Sequence, residues 1–495
     1  MKRIQWALAV LCASSLPVFA AQIGDGPIIE EHMDEAAIES GQVGLPAILQ
    51  AGERLFTDKF NLYDGEGRPA TTGGGAHRIA GSSPMFIRTS SPEANSCAGC
   101  HNDPVIGGAG DFVANVFVLA QTLDPVTESV NSNFSNERNT LGMNGSGAIE
   151  MLARDMTVQL HAQRSALQDH AVAGQRSSVA LVANGVSFGT LSVGADGSLD
   201  TSAVVGVDAN LVVKPFHQKG VVVSLREFSN NAMNHHHGMQ AVERFGFART
   251  QTDDFDEDGV VNELTVGDMT AVTLFQAALS VPGQVLPDNL EALQAVIKGE
   301  RKFESLGCAS CHVPSMTLQS RDFIEPNPYN PPGNLSPADV QHMVRFDMTA
   351  DSQQPRLDAL AGGGAVVRAY TDLKRHDLCD DQIRYFCNEY LVQAGVPTSQ
   401  FLTRKLWDVG NTAPYGHRGD LTTITEAIEV HGGEARSSRD AFMALSRSER
   451  NEVVEFLKSL RILPPGTTSL VVDSKGSPTT IENLKRDLRS QQNPN

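Results

Sequence analysis

Two short motifs constrain this chain more than any other feature. Ser-Cys-Ala-Gly-Cys-His supplies Cys97, Cys100 and His101, and Gly-Cys-Ala-Ser-Cys-His supplies Cys308, Cys311 and His312. Cys-x-x-Cys-His is the attachment signature of c-type haem. The spacing has a chemical reason. Two thiols one helical turn apart add to the two vinyl groups of one porphyrin, and the next residue, His, sits under the iron as proximal ligand. A zinc site or a redox dithiol is the competing reading. Zinc asks for two Cys pairs folding onto one metal, whereas these pairs lie far apart with a His in each. The motifs predict two covalently bound haem c groups.

The N-terminus has the pattern of an export signal. Lys2 and Arg3 precede an apolar stretch running to Phe19, and Val18-Phe19-Ala20 is a small-residue cleavage site. Residues 1–20 are expected to be removed, with an uncleaved anchor as the alternative. No later run of ~18 apolar residues occurs, so no membrane span is expected after signal removal. Export implies an oxidising compartment, most simply a bacterial periplasm. There Cys379 and Cys387, which belong to neither motif, are expected to pair; two buried thiols are the alternative. The formal charge of −19 argues against a nucleic-acid partner, which needs a basic face. A hydrophobic content of 41% rules out wholesale disorder.

Patterning divides the rest. Residues 21–285 read as an N-terminal haem unit. Its Gly- and Pro-rich lead-in carries a helix at Leu45–Phe56, and a second helix follows at Ala148–Arg164. Residues 178–224 form a β-rich insert, with apolar residues alternating around the turn signals Asn184-Gly185 and Asp196-Gly197. Helical pattern resumes from Leu225 to about Met239, and again from Val266 to Leu279. Pro282 to Pro287 reads as a linker. Residues 290–465 form a second unit, ending in a helix at Ser448–Leu460, and 466–495 a loose polar tail.

The chain resembles the bacterial di-haem cytochrome c peroxidase superfamily, and most of all its di-haem oxidoreductase branch, over most of residues 45–463. The stretch Leu406 to Gly419, with Thr412-Ala413-Pro414-Tyr415-Gly416-His417-Arg418-Gly419, is similar to that family's Thr-Ala-Pro-Tyr-x-His-x-Gly block. The resemblance implies a mainly α fold of two cytochrome c-type haem domains, here with the small β-rich insert in the first. It implies a peroxide-reducing enzyme. A small-molecule oxidant would be reduced at the N-terminal haem by electrons entering through the C-terminal one, with a small redox protein as electron donor or acceptor. It also carries His417 over as a site residue near the C-terminal haem; a structural hydrogen-bonding role is the alternative.

Two departures from the family matter. Its classical peroxidases place a Met ligand fourteen residues after the block's His, and that position here is His431. The C-terminal haem would then be bis-His, through His312 and His431, at a lower potential than a His–Met haem. A surface His in a Gly-rich turn is the alternative. The family's Trp between the haems is also missing from the N-terminal half. Trp407 is expected to pack near the second haem rather than to bridge, and Met316 to be core.

The N-terminal iron decides function. A closed sixth position means electron transfer and an open one small-molecule chemistry. Asn234-His235-His236-His237-Gly238 ends the Leu225 helix, and alignment with the family sets His236 opposite an acidic residue near the peroxide-binding face. His236 could move a proton on bound peroxide. His235, His236 or His237 could equally ligate the iron, or the run could be solvated at a helix end. Met143, His161 and Met156 are weaker distal candidates.

Finally, the acidic loop 253–266 begins Asp254-Phe255-Asp256-Glu257-Asp258-Gly259, three carboxylates at alternate positions before a glycine. With Glu263 they form a candidate calcium site; a solvated acidic turn is the alternative. Two further functions stay open. One is an electron-transfer cytochrome with both irons six-coordinate. The other is a di-haem oxygenase or protein-modifying oxidase, since related branches of the family carry such activities.

Overall fold

In the computed structural model, residues 24–67, 94–111, 113–116, 136–256 and 258–492 are described. The expected signal segment, the Gly-rich lead-in around 72–75 and Glu257 lie outside them. The helices read from apolar periodicity form as Leu45–Thr57, Ser146–Asp169, Val266–Ala278 and Arg447–Ser459. Capping explains two of their starts. Thr265 with Asp268, and Ser446 with Glu449, each form a reciprocal capping box that satisfies otherwise orphaned backbone N–H groups.

Glycine sets how closely these helices approach. A Cβ on Gly52 would lie 2.1 Å from the Ala271 carbonyl oxygen, and one on Gly299 would lie 1.9 Å from that of Glu452. Helix Leu45–Thr57 therefore presses against Val266–Ala278, and Leu290–Ser305 against Arg447–Ser459.

The β-rich insert is real. Ser177–Ala183 and Val186–Val193 pair antiparallel across Asn184-Gly185, and Leu199–Asp200 adds a third strand. Both turn residues have positive φ, 46° and 80°, as a two-residue hairpin turn requires. Leu181, Phe188 and Leu191 are buried and belong to the same core as Leu152 and Leu160 of helix Ser146–Asp169.

The fold class needs correction. Among the described residues the chain is 36% helix and 14% strand, so it is not a mainly α pair of cytochrome-like domains. Between Ser305 and Ile424 there is no α-helix. That segment holds short strands in two- and three-stranded sheets. Pro326, Pro328, Pro331, Pro332 and Pro337 account for part of this, since each removes a backbone donor and blocks helix propagation. Nor does the packing split at the expected linker. Met316, Phe323, Phe346, Val367 and Trp407 join the core that contains Leu55, Leu152 and Phe275. A second core gathers Leu293, Phe303, Ile424, Phe442 and Phe456.

The expected linker and tail are also structured. Gly283–Leu286 is the central strand of a three-stranded sheet, antiparallel to Leu460–Arg461 and parallel to Val471–Asp473. Val472 is buried there, and helix Ile481–Gln492 buries Leu488 in the second core. No helix among the described residues is long and apolar enough to cross a membrane.

Two cavities built on the Cys-x-x-Cys-His turns

Each motif folds as a single 3-10 turn, Cys97–Gly99 and Cys308–Ser310. In each, the first Cys carbonyl accepts from the His amide four residues on, Cys97 from His101 at 2.9 Å and Cys308 from His312 at 3.0 Å. The turn brings both sulfurs and the imidazole to one wall. Each opens into its own cavity, and the four motif cysteines form no disulfide.

The C-terminal cavity has a volume of about 360 Å³. Cys308, Cys311 and His312 line it together with His431, His417, Leu406, Ile424 and Phe442. Helix Ile424–Glu429 places His431, whose Nδ1 lies 2.7 Å from the Ala427 carbonyl. His312 Nδ1 lies 3.1 Å from the Tyr370 carbonyl. A carbonyl only accepts, so Nδ1 donates in both rings and the lone pair is left on Nε2. Burial, with the other imidazole nearby, pushes His312 down to about 4. Burial lowers His431 as well. Both rings are therefore neutral, as metal ligation requires.

His417 lines the same cavity. Its Nε2 lies 2.8 Å from Asn388 Oδ1, and its ring packs against both Phe386 and Phe401. Burial and the nearby Arg138 and Lys219 charges push it down to about 3, which leaves it neutral. Trp407 lines neither cavity. It is buried against Gly145 in the first core, a packing role as expected but away from the wall of the second cavity where it was expected. Met316 is core.

The N-terminal cavity is smaller, about 120 Å³. Cys97, Cys100 and His101 line it with Phe56, Met143, Met233, His236 and His237. The way the histidines reach it was not visible in the sequence. Helix Leu225–Ala232 widens into a π-helical turn at Met233–His237, closed by Gly238 at φ 76°. Such turns insert an extra residue and recur at functional sites. His236 and His237 both face the cavity, and His235 is buried outside it. His237 Nδ1 donates to the Ala94 carbonyl at 2.6 Å, and its Nε2 lies 3.6 Å from Cys97 Sγ. Burial and the nearby His236 push His101 down to about 4.

The start of that helix is held firmly. Ser224 caps Glu227, and the Leu225 amide donates to Glu150 at 2.7 Å. Arg226, fully buried, pairs with Glu243 at 2.6 Å and with Glu325 at 3.1 Å.

Sequence reasoning missed one histidine at the seam. His217 lines both cavities, adopts φ 62° and meets Phe228 edge-on. Burial and the nearby His236 push it down to about 3. A left-handed backbone at a residue other than glycine was its only signal, and that is not legible in sequence. Of the weaker candidates, Met143 lines both cavities. His161 bonds the Asn210 carbonyl and Met156 is core, both outside the cavities.

Away from the cavities, Cys379 and Cys387 are joined in a disulfide. Asp254, Asp256 and Asp258 bring carboxylate oxygens within 4.8 Å of one another. Glu263 stands outside that triad and accepts from the Gln240 amide.

The residues present fit haem. Each cavity offers two thiols and a neutral imidazole from one turn, and the larger has a second neutral imidazole with a free lone pair. Comparison with known proteins agrees over part of the chain. Residues 334–460 match the family described as "Di-haem oxidoreductase, putative peroxidase", a match that includes His376, Arg404, His417 and His431 but neither Cys-x-x-Cys-His motif. No curated protein matches the sequence. Among solved structures, Kuenenia stuttgartiensis hydrazine synthase pressurised with 20 bar xenon is similar at 12% identity and a TM-score of 0.33, covering 90% of this chain and 98% of that one. A MauG-like protein associated with microbial copper homeostasis is similar at 15% identity and a TM-score of 0.25, covering 54% and 71%. Likenesses at these scores carry no argument about this chain.

Proposed function

We propose that this protein is an exported, periplasmic di-haem c-type oxidoreductase with peroxidase-like activity. The observation that carries the proposal is the pairing of each Cys-x-x-Cys-His turn with histidines from distant segments across one cavity. Cys97 and Cys100 would hold one haem and Cys308 and Cys311 the other, with His101 and His312 as proximal ligands. Haem supplies the one-electron and oxidant chemistry that no side chain here can perform alone.

The protein's own part differs between the sites. His431, which lines the same cavity as His312, would hold the C-terminal haem together with it, which suits that site to electron entry from a small redox protein. In the N-terminal site His236 is positioned to hold a proton and pass it to an oxidant bound across from His101. Neutral His417 keeps its Nε2 on Asn388 and orients the cavity wall. Calcium at Asp254, Asp256 and Asp258 belongs to the same proposal, on the chemistry of three hard oxygen donors.

The second reading is an electron carrier, and the three histidines that line the N-terminal cavity besides His101, namely His217, His236 and His237, favour it. The ferric absorption spectrum separates the two. A high-spin band that cyanide shifts supports the enzyme, whereas two purely low-spin haems that bind no cyanide overturn it.

A further inference from the structure

Among the described residues Arg404 has no hydrogen-bond or ion-pair partner, and it lies in the wall of the larger cavity. Its neighbour in sequence shows the contrast. Lys405 Nζ lies 2.8 Å from the Gly142 carbonyl, 3.4 Å from that of Asn144 and 3.3 Å from Asp408 Oδ2. Arg439, in the same wall, donates to the Glu429 carbonyl and to Asp440. Among the described residues no carboxylate lies within ion-pair distance of the Arg404 guanidinium, and no acceptor takes its five N–H donors. Asp408, the nearest acid to bear on it, is engaged by Lys405.

Arg404 is half-buried and lines the cavity, so a guanidinium left unpaired there is open to an anion held in the cavity. Its planar fork matches a carboxylate in bidentate fashion. The group proposed for this cavity carries two such carboxylates, its propionates. We infer that Arg404 is the propionate clamp of the haem attached at Cys308 and Cys311. This rests on the di-haem reading above. The position of Arg404 suits the role: its backbone lies near His312, and its charge acts on His101, so it sits between the two motifs.

The test compares Arg404→Gln and Arg404→Lys in the haem-loaded full-length protein. Haem content comes from the pyridine haemochrome assay, the midpoint potential from spectroelectrochemistry and the propionate bending mode from resonance Raman. A nearby cation favours the reduced iron. Arg404→Gln should therefore lower the potential of the low-spin haem by about tenfold in equilibrium constant, ~59 mV for one electron. It should also shift the bending mode, while Arg404→Lys keeps most of both. Loss of haem from the Gln variant with retention in the Lys variant also supports the clamp.

An unchanged potential and bending mode in Arg404→Gln, with both haems bound, overturn the inference alone. So does an unchanged bending mode with weakened binding of formate or azide, which assigns Arg404 to a free anion instead. Wild-type protein lacking haem at Cys308 and Cys311 overturns the di-haem reading and the inference together.

Discussion

His312 and His431 line one cavity, and each ties its Nδ1 to a backbone carbonyl, at 3.1 Å and 2.7 Å. This shared tautomer leaves the lone pair of both rings on Nε2. Second-shell bonds of this kind fix ring orientation and raise ligand basicity.

His431→Met should raise the midpoint potential of that haem and introduce the weak sulfur-to-iron band at the red end of the spectrum. An unaltered spectrum and potential would show that His431 is not a ligand.

His236 is expected to carry the proton work at the other site. General acid–base catalysis contributes ~10²–10⁴-fold, so His236→Ala should cut peroxide turnover by about that factor with haem content unchanged. A new high-spin signal in the same variant would instead make His236 the sixth ligand. Unchanged turnover and spectrum together would remove it from both roles.

The Cys379–Cys387 disulfide closes a short loop that carries Phe386, and Phe386 packs on both His417 and His431. Opening it with Cys379→Ala and Cys387→Ala together should cost about 2–3 kcal/mol in chemical unfolding, the chain-entropy value for so short a loop. Equal unfolding midpoints with and without the bridge would contradict this.

His376 predicts a pH dependence. Its Nε2 lies 2.8 Å from Asp372 Oδ2 and its Nδ1 lies 2.7 Å from Glu434 Oε2, so both nitrogens donate and the ring is a cation. Burial lowers its pKa, but the hydrogen bonds to Asp372 and Glu434 and the Asp372 charge outweigh that and lift it to about 10. The folded value lies above the unfolded ~6.5. The stabilisation is therefore complete below pH ~6.5 and is lost as pH rises through about 10. Urea titrations across that range should show wild type losing its advantage over His376→Gln. A constant gap between the two at all pH values would contradict the charged pairing of His376 with Asp372 and Glu434.

The sequence carried the local parts of this account well. The two motif turns, the hairpin at Asn184-Gly185 and the capped helices depend on residues adjacent in the chain, where spacing and capping speak directly. The distal histidines were located only as a run. Which of them faces the cavity depends on the π turn at Met233–His237, and no periodicity announces that. His217 and Arg404 are functional candidates through position alone, since the chain brings them to the cavities from turns and short strands. The mainly α expectation failed between Ser305 and Ile424, where strands of two to four residues are too short to show alternation. Val471–Asp473 was read as part of a loose tail for the same reason.

The most direct test of the central claim is the haem stoichiometry of the exported protein and of its Cys97→Ala, Cys100→Ala variant, measured as pyridine haemochrome per polypeptide. Two covalent haems in wild type and one in the variant are predicted. Two haems surviving in the variant, or none in the wild type, would contradict the account.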